Sequence, residues 1–333
     1  MRQILAAKVS GPRLRATASD DEKIDRPIAV LARSVRPSGW QEAHLTGALE
    51  GRTAIITGGS HGLGLEIARA FVAAGARVLA CARDATALDN ARGELESLAM
   101  DPASIAVIAA DVSAPGDVER VVAHALDRFT RVEVLVNNAG VYGPKGPTED
   151  VDWAEWEQTI RVNLFGSVLV CRALLPHLRA NGYGKIVQLS GGGATSPLPR
   201  LSAYAASKAA VVRFAETLAE EVRGTGIDVN ALAPGGLNTR MLDEILEAGP
   251  ERVGSAYYQR ALEQRSSGGS PLDLAARLAV FLASSNSDGI TGKLISAPWD
   301  SWSELPERKS DLESSDVYTL RRIVPGDRDL QWE

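Results

Sequence analysis

The strongest constraint on the fold is a regular alternation of short apolar runs and helical stretches through the middle of the chain. Apolar runs with the length of a buried strand occur at 53–57, 77–81, 105–109, 132–136, 185–189, 227–231 and 292–296. Helical spacing occurs between them, at 64–74, 116–129, 152–181, 203–223 and 272–283. Strands of this kind are buried on both faces of a parallel sheet. We therefore predict an α/β fold, a doubly wound parallel sheet of about seven strands with helices on both faces.

The length of 333 residues suits either one large α/β domain or two small ones. The alternation forms a single block, so we predict one domain over 47–297 with an extension at each end. Residues 1–46 begin with a basic stretch that is free of acidic residues before Asp20. This stretch fits a flexible tail, a start codon placed too far upstream, or an organelle transit peptide. Residues 298–333 contain three tryptophans, and we expect an ordered arm over this subunit or a neighbour, or a packing arm with no catalytic role.

The composition is that of a soluble globular protein, with 45% hydrophobic and 23% charged residues. The net charge of −6 gives no reason to expect nucleic acid or an anionic membrane as a partner. We find no apolar stretch of about 18 residues and expect no membrane span. Cys81 and Cys171 are isolated in apolar runs, which favours buried, reduced thiols. We expect no metal site, because no histidine has ligand spacing, and a cytoplasmic location, with the transit peptide left open.

A glycine-rich loop follows the first apolar run and opens the first helix. It reads Thr57-Gly-Gly-Ser-His-Gly-Leu-Gly64 and has the spacing G-x-x-x-G-x-G. Glycines allow a tight turn and close approach of the backbone to a pyrophosphate, and a helix N-terminus attracts phosphate. The alternative is an ordinary tight turn between a strand and a helix. The candidate dinucleotide-binding residues of the loop are Gly58, Ser60, His61, Gly62, Leu63 and Gly64.

The end of the second apolar run bears on which dinucleotide binds. A carboxylate there would accept hydrogen bonds from the ribose 2′-hydroxyl of NAD. The run ends in Arg83, and the first carboxylate is Asp84. Arg83 can pair with a 2′-phosphate, so we favour NADP(H) over NAD(H). The alternative is that Arg83 is a solvated surface charge and that Asp84 caps a helix.

Tyr204 and Lys208 are four residues apart in a helical pattern, which places both side chains on one helical face. A phenol is a poor acid or base near neutral pH unless a neighbouring cation stabilises the phenolate. By itself, a Tyr/Lys pair of this spacing is more often surface chemistry than catalysis.

Further motifs in the chain favour a catalytic role for the Tyr204–Lys208 pair. Asn137-Asn-Ala-Gly140, Asn163 and Pro234-Gly235 accompany the glycine loop and the Tyr/Lys pair in a fixed order. With them, the chain resembles the short-chain dehydrogenase/reductase family over 51–297. The resemblance implies a single-domain Rossmann enzyme, a homodimer or homotetramer, that moves hydride between a nicotinamide and a carbonyl or alcohol carbon of a small molecule.

The resemblance also implies roles for individual residues. Tyr204 would donate a proton to the carbonyl oxygen or accept it in the reverse reaction, and Lys208 would lower the pKa of Tyr204 and bind the nicotinamide ribose. Asn163 would hold a water in the proton relay. The remaining cofactor contacts would be Asn138, Ala139 and Gly140 beside the adenosine ribose, Asp111 and Val112 at the adenine, and Pro234, Gly235 and Thr239 in the loop over the nicotinamide.

One position departs from the pattern of the family. Its serine precedes the tyrosine by 13 residues, which is Gly191 in this chain (204 − 13 = 191). Ser190 is our candidate for the missing hydroxyl, because the glycines that follow it would let the backbone move it towards the substrate. Alternatively, the site lacks this hydroxyl or recruits Thr195 or Ser196.

The segment 236–270 is expected to supply a lid over the substrate. It contains arginines and tyrosines, which suit a polar or anionic substrate; the alternative is an amphipathic surface helix with solvated charges. The leading interpretation is an NADP(H)-dependent oxidoreductase acting on a ketone or secondary alcohol. Two alternatives are a dinucleotide-binding regulator with altered catalysis, and an epimerase or dehydratase with a transient keto intermediate.

Overall fold

The computed structural model describes residues 45–332, so the predictions for the segment 1–46 lie outside the described residues, apart from its last two positions. Seven strands form one sheet with the order β3-β2-β1-β4-β5-β6-β7, and every neighbouring pair is parallel. This confirms the predicted fold class. The strands are β1 (Thr53–Thr57), β2 (Arg77–Ala82), β3 (Ile105–Ala109), β4 (Val134–Asn137), β5 (Gly184–Leu189), β6 (Ile227–Ala233) and β7 (Leu294–Ser296).

The strand order reverses direction between β1 and β4, which lie side by side at the centre of the sheet. In an open parallel sheet, ligands bind outside the carboxyl ends of the strands at such a switch point. The glycine loop follows β1, and the Asn-Asn-Ala-Gly segment begins at the end of β4. Both predicted cofactor motifs therefore lie at the same edge of the sheet.

The helices cover both faces of the sheet. They are α1 (Gly62–Ala73), α2 (Ala85–Leu98), α3 (Pro115–Phe129), α4 (Trp153–Ile160), α5 (Gly166–Asn181), α6 (Ser202–Glu221), α7 (Arg240–Val253), α8 (Ser255–Ser267), α9 (Leu272–Ala283) and α10 (Lys309–Ser314). One apolar core contains residues of α1, α2 and α9, and the other contains residues of α3, α5 and α6. The strand predicted at 292–296 begins only at Leu294: Gly292 has a φ of +71°, outside the range of regular strands, and the Lys293 amide bonds to the Asn230 side chain.

The predicted helix at 152–181 is continuous but contains a π-helical turn, Arg161–Phe165, between α4 and α5. The combined segment Trp153–Asn181 is long and apolar enough, by length and composition alone, to cross a membrane. Our expectation that no segment would meet that criterion was therefore wrong. In this fold, side chains such as Val170, Leu174 and Leu178 are buried in the core against the sheet.

The segment after β7 packs against the domain. Trp302 lies in a 3₁₀ helix, Trp302–Arg308, and its ring centroid is 5.5 Å from that of Phe281 in α9. Farther along, the Leu294 amide of β7 donates a hydrogen bond to the carbonyl oxygen of Tyr318 (2.8 Å). The arm thus adds an aromatic side chain to one core and covers the outer edge of β7, which is how exposed sheet edges are commonly protected.

Candidate active site

The loop between β1 and α1 leaves helix amides free at the switch point. α1 begins at Gly62, and the preceding His61 gives it no side-chain cap. A Cβ atom on Gly64 would lie 2.1 Å from the carbonyl oxygen of Gly58, so only glycine lets the loop fold this closely onto the helix. The first turn of α1 also has no acidic side chain. Free amides at the positive end of a helix dipole fit the pyrophosphate of a dinucleotide.

Asn138 fastens this loop to the end of β4. Its side-chain amide donates to the carbonyl oxygens of Thr57 (3.0 Å) and Gly58 (3.1 Å). In return, the Thr57 hydroxyl accepts hydrogen bonds from the backbone amides of Asn138 (3.0 Å) and Ala139 (3.1 Å). The structure therefore brings together the predicted residues of the two motifs and gives Asn138 a positioning role.

The other loop residues lie between the sheet edge and the lid. Leu63 packs against the apolar core, while the Ser60 hydroxyl is 2.9 Å from Nδ1 of His61. Partial burial lowers the pKa of His61, as does the positive charge of Arg240 at the start of α7, whereas Asp84 opposes them. His61 therefore lies between the lid and the end of β2.

Arg83 and Asp84 follow β2 and are both exposed. The Asp84 carboxylate caps α2, because its Oδ1 accepts a hydrogen bond from the Ala87 amide (3.0 Å). That is the alternative role we considered for Asp84. Arg83 forms no ion pair or side-chain hydrogen bond within residues 45–332.

Asp111 and Val112 lie just beyond the end of β3, on the same edge of the sheet. The Asp111 carboxylate accepts hydrogen bonds from the amide (2.9 Å) and hydroxyl (2.7 Å) of Ser113. Val112 is buried against Gly166, where a Cβ would lie 2.8 Å from its Cγ2. The turn is thus fixed by local contacts at the position expected for an adenine contact.

Asn163 lies in the π-helical turn and uses its whole side chain to join three elements. Its Oδ1 accepts from the Val141 amide (2.8 Å), and its Nδ2 donates to the Val141 carbonyl (2.9 Å) and to the Ser207 hydroxyl of α6 (2.9 Å). π-turns are frequent at functional sites. A Cβ on Gly140 would be 3.4 Å from Oδ1 of Asn163, so the Asn-Asn-Ala-Gly segment packs closely here. The amide of Asn163 is already engaged, and its role in a water relay stays a prediction.

Lys208 lies one turn after Tyr204 on α6, with its ammonium inside the protein. Its Nζ donates to the carbonyl oxygen of Leu189 at the end of β5 (2.8 Å) and is 5.8 Å from the centroid of the Tyr204 ring. Burial lowers the pKa of Lys208 to about 8. The sequence-based expectation that these two side chains share one face is met.

The Tyr204 hydroxyl lies directly over Gly191. A Cβ on Gly191 would be 2.2 Å from that oxygen and 3.0 Å from Cζ. Burial raises the pKa of Tyr204, and the neighbouring Tyr257 raises it further. We expected Lys208 to lower this pKa; in the protein without cofactor, burial raises it, because burial disfavours the charged phenolate.

Ser190 directly precedes Gly191, and its role as the missing serine hydroxyl stays a prediction. Its Oγ is buried and has no hydrogen-bond partner, Tyr204 included, within the described part of the chain. Thr195 and Ser196, the other two candidates, are exposed. The backbone of Gly191, without a side chain, is what the Tyr204 phenol contacts.

The predicted lid segment consists of α7 and α8. A Cβ on Gly62 would be 3.8 Å from the methyl carbon of Thr239, so the lid begins next to the glycine loop. Pro234 and Gly235 follow β6, and Gly235 packs closely on Pro298 at the start of the C-terminal arm. These three predicted residues therefore lie at the carboxyl edge of the sheet with the other motifs.

The two lid helices differ in character: α7 has a clear apolar face, whereas α8 is largely polar and buries only Ala261. Arg265 of α8 pairs with Asp243 of α7 on the exposed side. On the inner side, Leu242, Tyr257 and other apolar side chains pack with Tyr204 in one cluster. Which of our two interpretations of the lid applies stays a prediction.

Sequence reasoning missed Tyr142, which also belongs to this cluster. Its ring meets that of Tyr204 edge-on, with centroids 4.6 Å apart. Its position could have indicated this, because Tyr142 follows Gly140 by two residues, directly after a motif already assigned to the site.

Comparisons with known proteins match the same region. A family model described as short chain dehydrogenase matches residues 52–249, more than half of the chain. Galactitol 2-dehydrogenase (L-tagatose-forming) of Cereibacter sphaeroides is 38% identical over 253 residues, which cover 74% of this chain and 93% of that protein.

Solved structures show the same fold. The 3-ketoacyl-(acyl-carrier-protein) reductase of Brucella melitensis, complexed with NADH, has a TM-score of 0.65 at 31% identity and covers 74% of this chain and 97% of its own. A gluconate 5-dehydrogenase of Burkholderia cenocepacia, in complex with NADP and tartrate, has a TM-score of 0.66 at 29% identity. The match covers 76% of this chain and 96% of that one.

Proposed function

The chain belongs to the short-chain dehydrogenase/reductase family of NAD(P)-binding oxidoreductases, and we propose that it transfers hydride between NADP(H) and a ketone or secondary alcohol, with Tyr204 as the acid/base. The observation that carries this proposal is the Tyr204–Lys208 pair on α6. The Lys208 ammonium is held by the end of β5, and the Tyr204 phenol is buried at the carboxyl edge of the sheet.

The chemistry divides between cofactor and chain. When bound, the nicotinamide supplies hydride to the carbonyl carbon or accepts it from the alcohol carbon. Tyr204 supplies a proton to the carbonyl oxygen in reduction, as the C=O π bond breaks, and takes that proton back in oxidation. Because burial raises its pKa, the phenol is protonated at neutral pH and ready to donate. Lys208 then stabilises the phenolate through its charge at short range.

The preference for NADP(H) follows from the end of β2. Arg83 is exposed and unpaired within the described residues, and Asp84 already uses one carboxylate oxygen on the Ala87 amide. A free guanidinium suits a 2′-phosphate, whereas a carboxylate engaged as a helix cap is a poor partner for the ribose 2′-hydroxyl.

The cofactor proposal is tested by titrating the protein with NADPH and NADH and following nicotinamide fluorescence. Arg83→Ala should weaken NADPH binding about tenfold or more and leave NADH binding nearly unchanged. Arg77→Ala, which changes an arginine at the other end of β2, is the matched control. Tighter binding of NADH than of NADPH by the unaltered protein would refute the preference.

The inner face of the lid supports a substrate with an apolar body. The side chains around Tyr204 are mostly aliphatic or tyrosine, while two lid arginines, Arg240 and Arg265, pair with carboxylates on the exposed side. An apolar lining with a few polar groups at the reacting centre is typical of small-molecule sites.

The activity is tested with a panel of cyclohexanone, ethyl acetoacetate, cyclohexane-1,2-dione and acetoacetyl-CoA, and with the corresponding alcohols. Oxidation of NADPH should accompany product formation one for one, and Tyr204→Phe should abolish it. Full turnover by Tyr204→Phe would exclude this site. Product formation without net change in nicotinamide absorbance would indicate an epimerase or dehydratase instead.

Gly191 favours a second candidate, a dinucleotide-binding regulator with altered catalysis, because the serine of the family is missing there. Such a protein would bind NADPH normally and turn over no member of the panel. We also propose a homodimer or homotetramer, supported by the exposed Trp153 and Phe165, which lie more than three turns apart on the same helical segment. Light scattering during size-exclusion chromatography tests the assembly; a monomer at all concentrations would refute it.

A further inference from the structure

The two ends of the lid are joined to each other where the lid leaves the sheet. The chain enters the lid from β6 through residues 235–239 and returns to α9 through residues 268–270; we call these two segments the base of the lid. The Ser270 amide donates a hydrogen bond to the Gly236 carbonyl (2.7 Å), and a Cβ on Gly269 would lie 2.6 Å from the same oxygen. The two segments are therefore hydrogen-bonded and closely packed.

The C-terminal arm packs against this base. A Cβ on Gly235 would lie 2.5 Å from the Ser270 hydroxyl oxygen and 2.9 Å from Cγ of Pro298. Gly235 also has a φ of +86°, in the left-handed region that favours glycine. Because no side chain fits between these groups, and close-packed groups transmit displacements to their neighbours, the position of Gly235 depends on where the Pro298 ring lies.

Contacts within the arm hold Pro298 in this place. The Asp300 carboxylate accepts a hydrogen bond from the Ser296 amide (2.7 Å), and the Asp300 amide donates to the Ser296 carbonyl (3.3 Å). Trp302 is buried, and its Nε1 donates to the Ala297 carbonyl (3.3 Å). These bonds span Pro298 from both sides and fix the turn that carries it.

Resting on the proposed oxidoreductase function, we propose that Pro298 and Asp300 are positioning residues for hydride transfer. Pro298 holds Gly235, and with it the loop expected to cover the nicotinamide, while Asp300 acts through Pro298 by fixing the turn. The hydride still comes from the cofactor and the proton from Tyr204, so the arm changes only the geometry of the reaction.

The size of the effect follows from how strongly a rate depends on alignment. A misplacement of about 1 Å can slow a reaction about 100-fold. Pro298→Ala removes the Cγ that packs on Gly235 and the ring that restricts the turn. A shift of the loop by about half that distance should slow hydride transfer about tenfold.

The experiment compares Pro298→Ala with Pro306→Ala, a matched control that changes another half-buried proline of the same arm. Single turnovers are followed by absorbance, with NADPH and with NADPH deuterated at C4 of the nicotinamide, and with the panel ketone that the unaltered protein reduces fastest. The isotope effect identifies the hydride step. Pro298→Ala should slow this step about tenfold, with the melting temperature nearly unchanged, and Pro306→Ala should stay within about twofold.

Hydrogen exchange gives a second measurement that needs no turnover. In the protein without cofactor, peptides that contain the Ser270 amide should exchange faster in Pro298→Ala than in the unaltered protein, because the base of the lid opens more often. Pro306→Ala should leave their exchange unchanged. Equal hydride rates for Pro298→Ala and Pro306→Ala would overturn the proposal, and so would equal exchange of these peptides.

A double-variant cycle tests whether Asp300 acts through Pro298. Asp300→Ala removes the acceptor of the Ser296 amide and should slow the same step by a similar factor. The variant with both changes should be no more than about twofold slower than the slower single variant, since one contact is lost in each case. Effects that multiply would overturn the role of Asp300. If Pro298→Ala fails to fold, Asp300→Ala takes its place in both measurements.

The outcomes separate this inference from the function on which it rests. If Tyr204→Phe retains turnover, the proposed function fails. If Tyr204→Phe is inactive and Pro298→Ala transfers hydride as fast as its control, only the role of the arm fails.

Discussion

Replacing Lys208 by methionine should change how the stability of the protein depends on pH. The Lys208 ammonium is buried, with a hydrogen bond to the Leu189 carbonyl, and burial lowers its pKa from 10.5 to about 8. In the unfolded chain the same amine has its ordinary pKa, so between these two values the unfolded state binds more protons than the folded state. Stability therefore rises as the pH rises through this window.

The size of the effect follows from the two pKa values. Below about pH 8 the buried charge costs the folded state about 3 kcal/mol, and this cost disappears towards pH 10.5. Lys208→Met removes the titration while keeping an unbranched apolar side chain. The difference in the free energy of unfolding between the unaltered protein and Lys208→Met should therefore shift by about 2 kcal/mol in favour of the unaltered protein between about pH 7 and about pH 9.5.

The assay is urea unfolding of both proteins at several pH values, without cofactor. Taking the difference between the two proteins cancels the other titrating groups, and stopping near pH 9.5 avoids the ordinary titration of tyrosines near pH 10. Lys309→Met, which changes a half-buried lysine at the start of α10, is the control and should show no such shift. A difference between the unaltered protein and Lys208→Met that is constant over the whole range would refute the reasoning.

Three further changes test separate parts of the structure. Gly64→Ala places a Cβ 2.1 Å from the Gly58 carbonyl oxygen, so it should weaken NADPH binding about tenfold or more; unchanged affinity in a fluorescence titration would contradict the tight fit. Trp302 is only 2% exposed, so Trp302→Ala leaves a cavity and should lower the free energy of unfolding by about 3–5 kcal/mol. A loss below about 1 kcal/mol would mean that the arm is not part of the core. Asn163→Asp keeps the shape of the side chain but removes its two N–H donors, which bind the Val141 carbonyl and the Ser207 hydroxyl. It should lower the free energy of unfolding by about 3 kcal/mol at neutral pH. Burial raises the pKa of the new carboxyl above its ordinary value, so protonation restores one donor as the pH falls towards 4; a cost that does not shrink over this range would count against this account.

The sheet was predictable because its strands are covered on both sides. All five residues of β1 are buried, and such strands are continuous apolar runs rather than alternating ones. The ends of the strands were harder to predict. β7 begins two residues later than predicted, after Gly292 with its positive φ. That delay depends on backbone geometry that the residue type permits but does not require.

The edge of the sheet where the cofactor motifs lie was predictable, because the residues of each motif are close together in the chain. Which side chains surround Tyr204 was not predictable. Tyr142 and Tyr257 are far apart in the chain and meet only because α8 folds back over the sheet edge. The direction of Arg265, which faces outwards to Asp243, likewise depends on which side of α7 and α8 packs on Tyr204. A pattern of residue types gives an amphipathic helix two faces, but only tertiary packing decides what each face contacts.

Burial moves the pKa values of Tyr204 and Lys208 in opposite directions, because it disfavours the charged form of each, and the charge pair formed during reduction offsets both costs. Burial raises the pKa of the phenol, which keeps the proton on Tyr204 until a substrate oxygen can take it, and it lowers that of the amine to about 8. Once the proton has moved, the phenolate and the ammonium attract each other more strongly than they would in water. The same exclusion of water that destabilises the folded protein through Lys208 therefore stabilises the charge pair formed in the reaction. A site opened to solvent should lose both effects together: stability below pH 8 should rise while the rate of reduction falls.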